Sequence, residues 1–144
     1  VGIITYPHGF GCGDLNFKTM NIKELIGKTI VSIVGMEKGS EEITFTTLDG
    51  KQYKMYHEQD CCENVTIDDV CGDVMDLIGS PLLLAEERTS EENPPDFKDV
   101  EWQESFTWTF YHFATINGYL DLRWYGESNG YYSESVDFKE IKEE

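Results

Sequence analysis

Positive charge is what this chain has least of. Its 144 residues carry 11 Lys+Arg against 28 Asp+Glu, a formal net charge of −17, and only Arg88 and Arg123 are arginines. A surface of that sign repels the phosphates of nucleic acids and anionic membranes, so direct nucleic-acid binding is excluded and basic partners are favoured. Long hydrophobic runs are missing too: no 18 consecutive apolar residues occur, so no helical membrane span is expected. No charged-then-apolar leader opens the sequence, and Val1 in the initiator's place points to a trimmed start. Cysteines number four, Cys12, Cys61, Cys62 and Cys71. Two disulfides are arithmetically available, but adjacent Cys61 and Cys62 make a poor framework. Without a leader, reduced thiols in a cytoplasmic setting are the expectation. The glycine-rich stretch at positions 9–13 has no Gly-Lys-Ser/Thr after it, so it is no phosphate loop. No catalytic or cofactor motif of known mechanism appears, so neither an enzyme nor a cofactor is indicated.

What is present suffices for one domain spanning 1–144: 40% of the residues are hydrophobic and 13% aromatic. A chain of this length buries roughly two-thirds of its unfolded surface. Asn21 can cap a short helix at 22–26. From Lys28 the apolar period becomes two, predicting strands at 29–36, 42–47 and 52–56, with Asp49-Gly50 as a hairpin signal. At 67–78 the apolar residues Ile67, Val70, Cys71, Val74, Met75, Leu77 and Ile78 fall at helical spacing. Asp68 and Asp69 in a first turn, and Gly79 and Pro81 beyond, suit a helix that would bury Cys71. A strand follows at 82–87, then an acidic loop at about 88–104 containing Asn93-Pro94-Pro95. Strands at 106–116 and 119–125 flank Asn117-Gly118, read as a type I′ turn, and a last strand is predicted at 131–138. The expected fold class is α+β: antiparallel β-meanders packed around one amphipathic helix.

Several groups could carry chemistry. His57, Cys61, Cys62 and Cys71 are zinc-compatible donors, but zinc sites use paired knuckles of two ligands, and adjacent cysteines diverge. No metal is expected. A nucleophilic Cys61 or Cys62 beside His57 is opposed by Glu58, Asp60 and Glu63, whose charge disfavours a thiolate. Arg123 is the most selective feature because cations are so few. With Trp124, Tyr125, Asn129, Tyr131 and Tyr132, and with His57 and Glu58 close by, it could pair with a planar anion while a ring stacks on it. The alternative is an arginine paired with a carboxylate on an aromatic sheet face. The ligand reading requires that Arg123→Ala abolish activity and leave the protein folded.

The motifs His57-Glu58-Gln59-Asp60-Cys61-Cys62-Glu63, Asp76-Leu77-Ile78-Gly79-Ser80-Pro81, Thr107-Trp108-Thr109-Phe110-Tyr111 and Arg123-Trp124-Tyr125-Gly126-Glu127-Ser128-Asn129-Gly130-Tyr131-Tyr132-Ser133 resemble those of small acidic proteins of tailed bacteriophages and prophages. That family is of unknown function and supplies no catalytic residues; the resemblance spans about 24–138. It implies a phage origin and action in the cytoplasm of an infected bacterial host, in the manner of accessory proteins that counter host defence. Three functions compete. The first is sequestration of a small nucleotide-derived host signal. The second is an acidic inhibitor that mimics nucleic acid in the basic groove of a host effector. The third is a Cys/His-dependent enzyme. A homo-oligomer is compatible with all three.

Overall fold

The computed structural model describes residues 21–97 and 103–142. The glycine-rich stretch at 9–13, Cys12 and part of the acidic loop lie outside them. Eight strands form two antiparallel four-stranded sheets, and no helix of seven or more residues occurs among the described residues. The first sheet orders β1 (Ile30–Val34), β2 (Glu42–Thr47), β3 (Gln52–Tyr56) and β8 (Asp137–Ile141). The second orders β4 (Asn64–Cys71), β7 (Gly118–Ser128), β6 (Ser105–Thr115) and β5 (Leu84–Ser90). The fold is therefore essentially all-β, which corrects the α+β expectation.

The predicted helix at 67–78 is the centre of that correction. Its first half is β4, paired with β7, and its second half is a short 3-10 turn, Val74–Leu77. The register slips between Ile67 and Asp69, so β4 holds a bulge. A bulge inserts one residue and turns the following side chains over. The core-facing positions thus read Val65, Ile67 and then Val70, a spacing of three that imitates a helix. The strand suits its composition, since Val65, Thr66, Ile67 and Val70 are β-branched. Gly72 (φ +133) turns the chain where an added Cβ would lie 2.9 Å from the Tyr119 carbonyl oxygen. Val70, Val74 and Ile78 still pack on the core, but Cys71 is an exposed free thiol rather than a buried one. Cys71→Ser should accordingly shift unfolding stability by less than about 0.5 kcal/mol in urea melts; a buried thiol would cost several times that.

The two sheets face one another across a single core. Ile43, Phe45, Tyr53, Met55 and Phe138 come from the first; Val65, Ile67, Tyr111, Phe113, Leu120, Leu122 and Trp124 come from the second. Phe45 spans the interface, with ring centroids 6.2 Å from Phe113 and 6.4 Å from Phe138. The β1–β2 connection also touches the second sheet: Gly39 N donates to the Ile67 carbonyl (2.8 Å), and Ile67 N donates to that of Ser40 (2.9 Å). These bonds cover the otherwise open edge of β4. The β2–β3 hairpin turns at Asp49-Gly50 as predicted, with Gly50 at φ +88. The β6–β7 hairpin also forms, but Thr115 pairs with Gly118 and no non-glycine residue among those described has positive φ, so its turn is not type I′. The last strand begins at Asp137, later than predicted.

Candidate functional site

Alternation along β7 decides where the expected ligand residues go. Leu120, Leu122 and Trp124 point into the core, and Arg123 and Tyr125 point outward. Trp124 is fully buried, on the opposite face of the sheet from Arg123, and its indole N–H has no hydrogen-bond partner among the described residues. It cannot stack on anything that Arg123 holds.

Arg123 is already engaged. Its Nε donates to Asp68 Oδ2 at 2.8 Å, and its two terminal nitrogens grip both Asp96 oxygens at 3.1 and 3.0 Å. Asp68 is the extra residue of the β4 bulge, which is why it aims at the outer face. The guanidinium lies 5.1 Å from the Trp108 ring centroid. Hydrogen bonding to Asp96 raises the Arg123 pKa, and the same bonds lower that of Asp96. Residues 91–97 form a strap over this side of the sheet. Phe97 packs edge-on against Trp108 at 5.0 Å and on Tyr125 at 5.4 Å, and Trp108 Nε1 donates to Asn93 Oδ1 at 3.0 Å. Gln103 donates to the Tyr125 hydroxyl, which donates to Glu127. Burial, reinforced by Glu127, pushes the Tyr125 pKa up to about 12. Trp108 becomes fully buried on the outer face, while Tyr111 and Phe113 fill the inner one. The other arginine, Arg88, lies 4.3 Å from the Phe110 ring centroid and forms no ion pair with a described residue.

The remaining expected residues converge at one end of the molecule, where loop 57–63 meets the segment after β7. His57 joins them. Its Nδ1 lies 2.7 Å from the Ser135 carbonyl oxygen and its Nε2 lies 2.7 Å from Glu63 Oε2. Both partners are acceptors, so the ring is held from two sides. Glu63 also accepts Asp60 N–H (2.8 Å) and Cys61 N–H (2.9 Å). Burial pushes its pKa up, but the bonds from His57, Cys61 and Asp60 outweigh burial and hold it at about 2. Gln59 Nε2 donates to the Glu63 and Cys61 carbonyls, and Glu58 N donates to Asp137. Across the junction, Ser128 and Thr107 hydroxyls donate to buried Glu134. A Cβ on Gly126 would sit 2.7 Å from the Glu134 carbonyl oxygen, so only glycine allows this approach. Cys61 and Cys62 are joined by a disulfide, correcting the expectation of reduced thiols.

Two grooves flank the Glu63-Asn64 step. The smaller, about 260 Å³, is lined by Cys62, Glu104, Glu127, Asn129 and Tyr132 among others. The larger, about 530 Å³, takes in His57, Glu58, Lys54, Tyr56 and Lys139. There the Tyr56 ring centroid lies 4.7 Å from Lys54 Nζ and 5.1 Å from Lys139 Nζ. Burial, then Glu58, pushes the Tyr56 pKa up to about 12, so the phenol stays protonated. Expected Asn129 and Tyr132 therefore reach one groove, and His57 and Glu58 the other. Tyr131 is 80% exposed and packs edge-on against Tyr132.

Lys54, Tyr56 and Lys139 were not among the expected residues. The alternation of β3 places Lys54 and Tyr56 on one face, but Lys139 joins them only through the β3–β8 register, in which Lys54 opposes Lys139. Among the described residues, no group of three or more His, Cys, Asp or Glu side chains is placed to hold a metal ion. No described helix is long and apolar enough to cross a membrane.

The profile of a domain of unknown function, DUF7448, matches residues 23–138. The chain belongs to the DUF7448 family. The matched region runs from the first 3-10 turn (Ile22–Leu25) to Phe138 in β8, so it contains both grooves' loops and the Arg123 clamp. No curated protein and no solved structure matches the chain.

Proposed function

We propose that this DUF7448 chain is a binding protein that sequesters a small, planar, nucleotide-like anion in the groove beside Tyr56. The setting implied by its sequence motifs is phage counter-defence in the cytoplasm of an infected bacterium. The observation that carries the reading is the approach of both Lys54 and Lys139 to one ring. In a chain with 11 lysines and arginines against 28 carboxylates, two cations near a single aromatic are a distinctive pairing, here set among Glu41, Glu42, Glu58 and Glu63, with Lys54 Nζ 3.6 Å from Glu42. An aromatic face with cations at its rim suits a base or other planar group bearing phosphate. The negative surround turns away long polyanions, which cannot avoid it, and admits a short ligand. Arg123, held by two aspartates, has no part in this site.

Calorimetric titration with cyclic mono- and dinucleotides tests the proposal, together with the 260 nm absorbance of freshly purified protein. Lys54→Glu/Lys139→Glu should weaken binding by about a hundredfold or more and leave the melting temperature within a few degrees. Full affinity in that double variant would reject the groove. The charge of −17 also supports the second reading, an acidic inhibitor of a basic host protein. A salt-sensitive complex with such a protein, unaffected by the double variant, would establish it instead.

A further inference from the structure

We propose that Cys61–Cys62 is a reversible thiol–disulfide exchange site whose acidic surround selects positively charged dithiols. A disulfide stabilises a fold chiefly by closing a long loop in the unfolded chain. This one joins neighbouring residues and closes none, so stapling is not its role. Nor does the loop depend on it for shape. Gln59 holds the carbonyls of Cys61 and Glu63, Glu63 holds the N–H groups of Asp60 and Cys61, and His57 ties Glu63 to Ser135. The bond can therefore open and re-form on a backbone that stays in place. Both cysteines are exposed, and Cys62 lines the smaller groove, so a sulfur is reachable from solvent.

The groove chooses what reaches it. Glu63, Glu104 and Glu127 line it and, among the described residues, no lysine or arginine does, while Asp60 precedes the pair. An incoming thiolate is itself anionic, so a donor bearing a compensating positive charge approaches more easily. One thiolate of the donor attacks the Cys62 sulfur; the S–S bond breaks with its electron pair on Cys61 Sγ, which takes a proton. The donor's second thiolate then attacks the mixed disulfide, releasing Cys62 as a thiol and leaving the donor as a cyclic disulfide. Two electrons and two protons have passed from donor to protein, and the oxidised donor reverses the sequence.

The test compares 2-amino-1,4-dimercaptobutane, a cationic dithiol, with dihydrolipoate, an anionic one, at matched thiolate concentration. Opening is followed on the intact protein by iodoacetamide trapping and peptide mapping of Cys61 and Cys62, which separates them from Cys71 and Cys12. The cationic donor should react at least tenfold faster at low salt, and the ratio should fall to about twofold near 1 M salt. Glu104→Gln/Glu127→Gln should narrow the low-salt ratio without preventing formation of the disulfide. Equal rates at low salt, a ratio untouched by the double variant, or thiols that stay open in excess oxidised donor would each overturn the proposal.

Discussion

Replacing Glu63 by glutamine is expected to cost more stability at neutral pH than any other single polar substitution in the described chain. The carboxylate accepts from His57, Asp60 and Cys61 at once, with its side chain fully buried. A glutamine keeps one acceptor oxygen and turns an N–H₂ group towards the donors that remain, so buried donors face a donor. It also takes the carboxylate away from His57 Nε2. His57→Ala, approached from the other side, should lower the melting temperature by roughly 10 °C or more. The pH dependence gives the sharper check. Glu63 has its pKa lowered from 4.5 to about 2 on folding. Its contribution is therefore fully present above the unfolded value and is lost as pH falls towards the folded one. Urea melts of the wild type and Glu63→Gln should differ most at pH 6–7 and converge between about pH 5 and pH 2. A gap that stayed constant over that range would show that the carboxylate's charge does not supply the stability.

Arg123→Ala should be the second largest polar loss, and it should be structural. Without the guanidinium, Asp68 and Asp96 are left without the cation that both bind, and the strap loses its anchor to the sheet. Phe97 then has little to keep it on Trp108 and Tyr125. The expected signs are a red shift in tryptophan emission as Trp108 meets water and faster proteolysis within residues 91–97. Asp96→Asn, which breaks the charge pairing alone, should reproduce both signs in weaker form. The variant should retain the binding assigned to the Tyr56 groove after correction for folded fraction. Arg123→Ala that kept its melting temperature and lost binding would instead restore the reading in which this arginine holds the ligand.

The hairpins were legible in the sequence because they are local. In Glu42–Thr47 and Gln52–Tyr56 the alternation and the Asp49-Gly50 turn agree, and nothing distant is needed to place them. Residues 67–78 misled because a bulge and a 3-10 turn together produce helical spacing, and periodicity alone cannot count an inserted residue. Alternation on β7 was also readable, and it already separated Trp124 from Arg123 and Tyr125; proximity in sequence had grouped them. The partners of Arg123 were out of reach. Asp96 comes from a loop, and Asp68 faces outward only because of the bulge. The meeting of loop 57–63 with Ser135 likewise depends on which sheet receives β8.

That destination of β8 has a bearing on how the protein is made. The strand beside β3 is separated from it in sequence by the whole of the second sheet. On a ribosome, β1–β3 emerge early and stay one strand short until the four strands of the second sheet, and then β8, have left the tunnel. Meanwhile β3 offers a bare row of amides and carbonyls, and Tyr53 lacks the Phe138 ring that finally stacks on it at 5.7 Å. Closing the first sheet is a high-contact-order event, and such steps are slow. A nascent chain halted before residue 137 should hold a sticky, incomplete sheet, and release of the next few residues should convert it to the protected form.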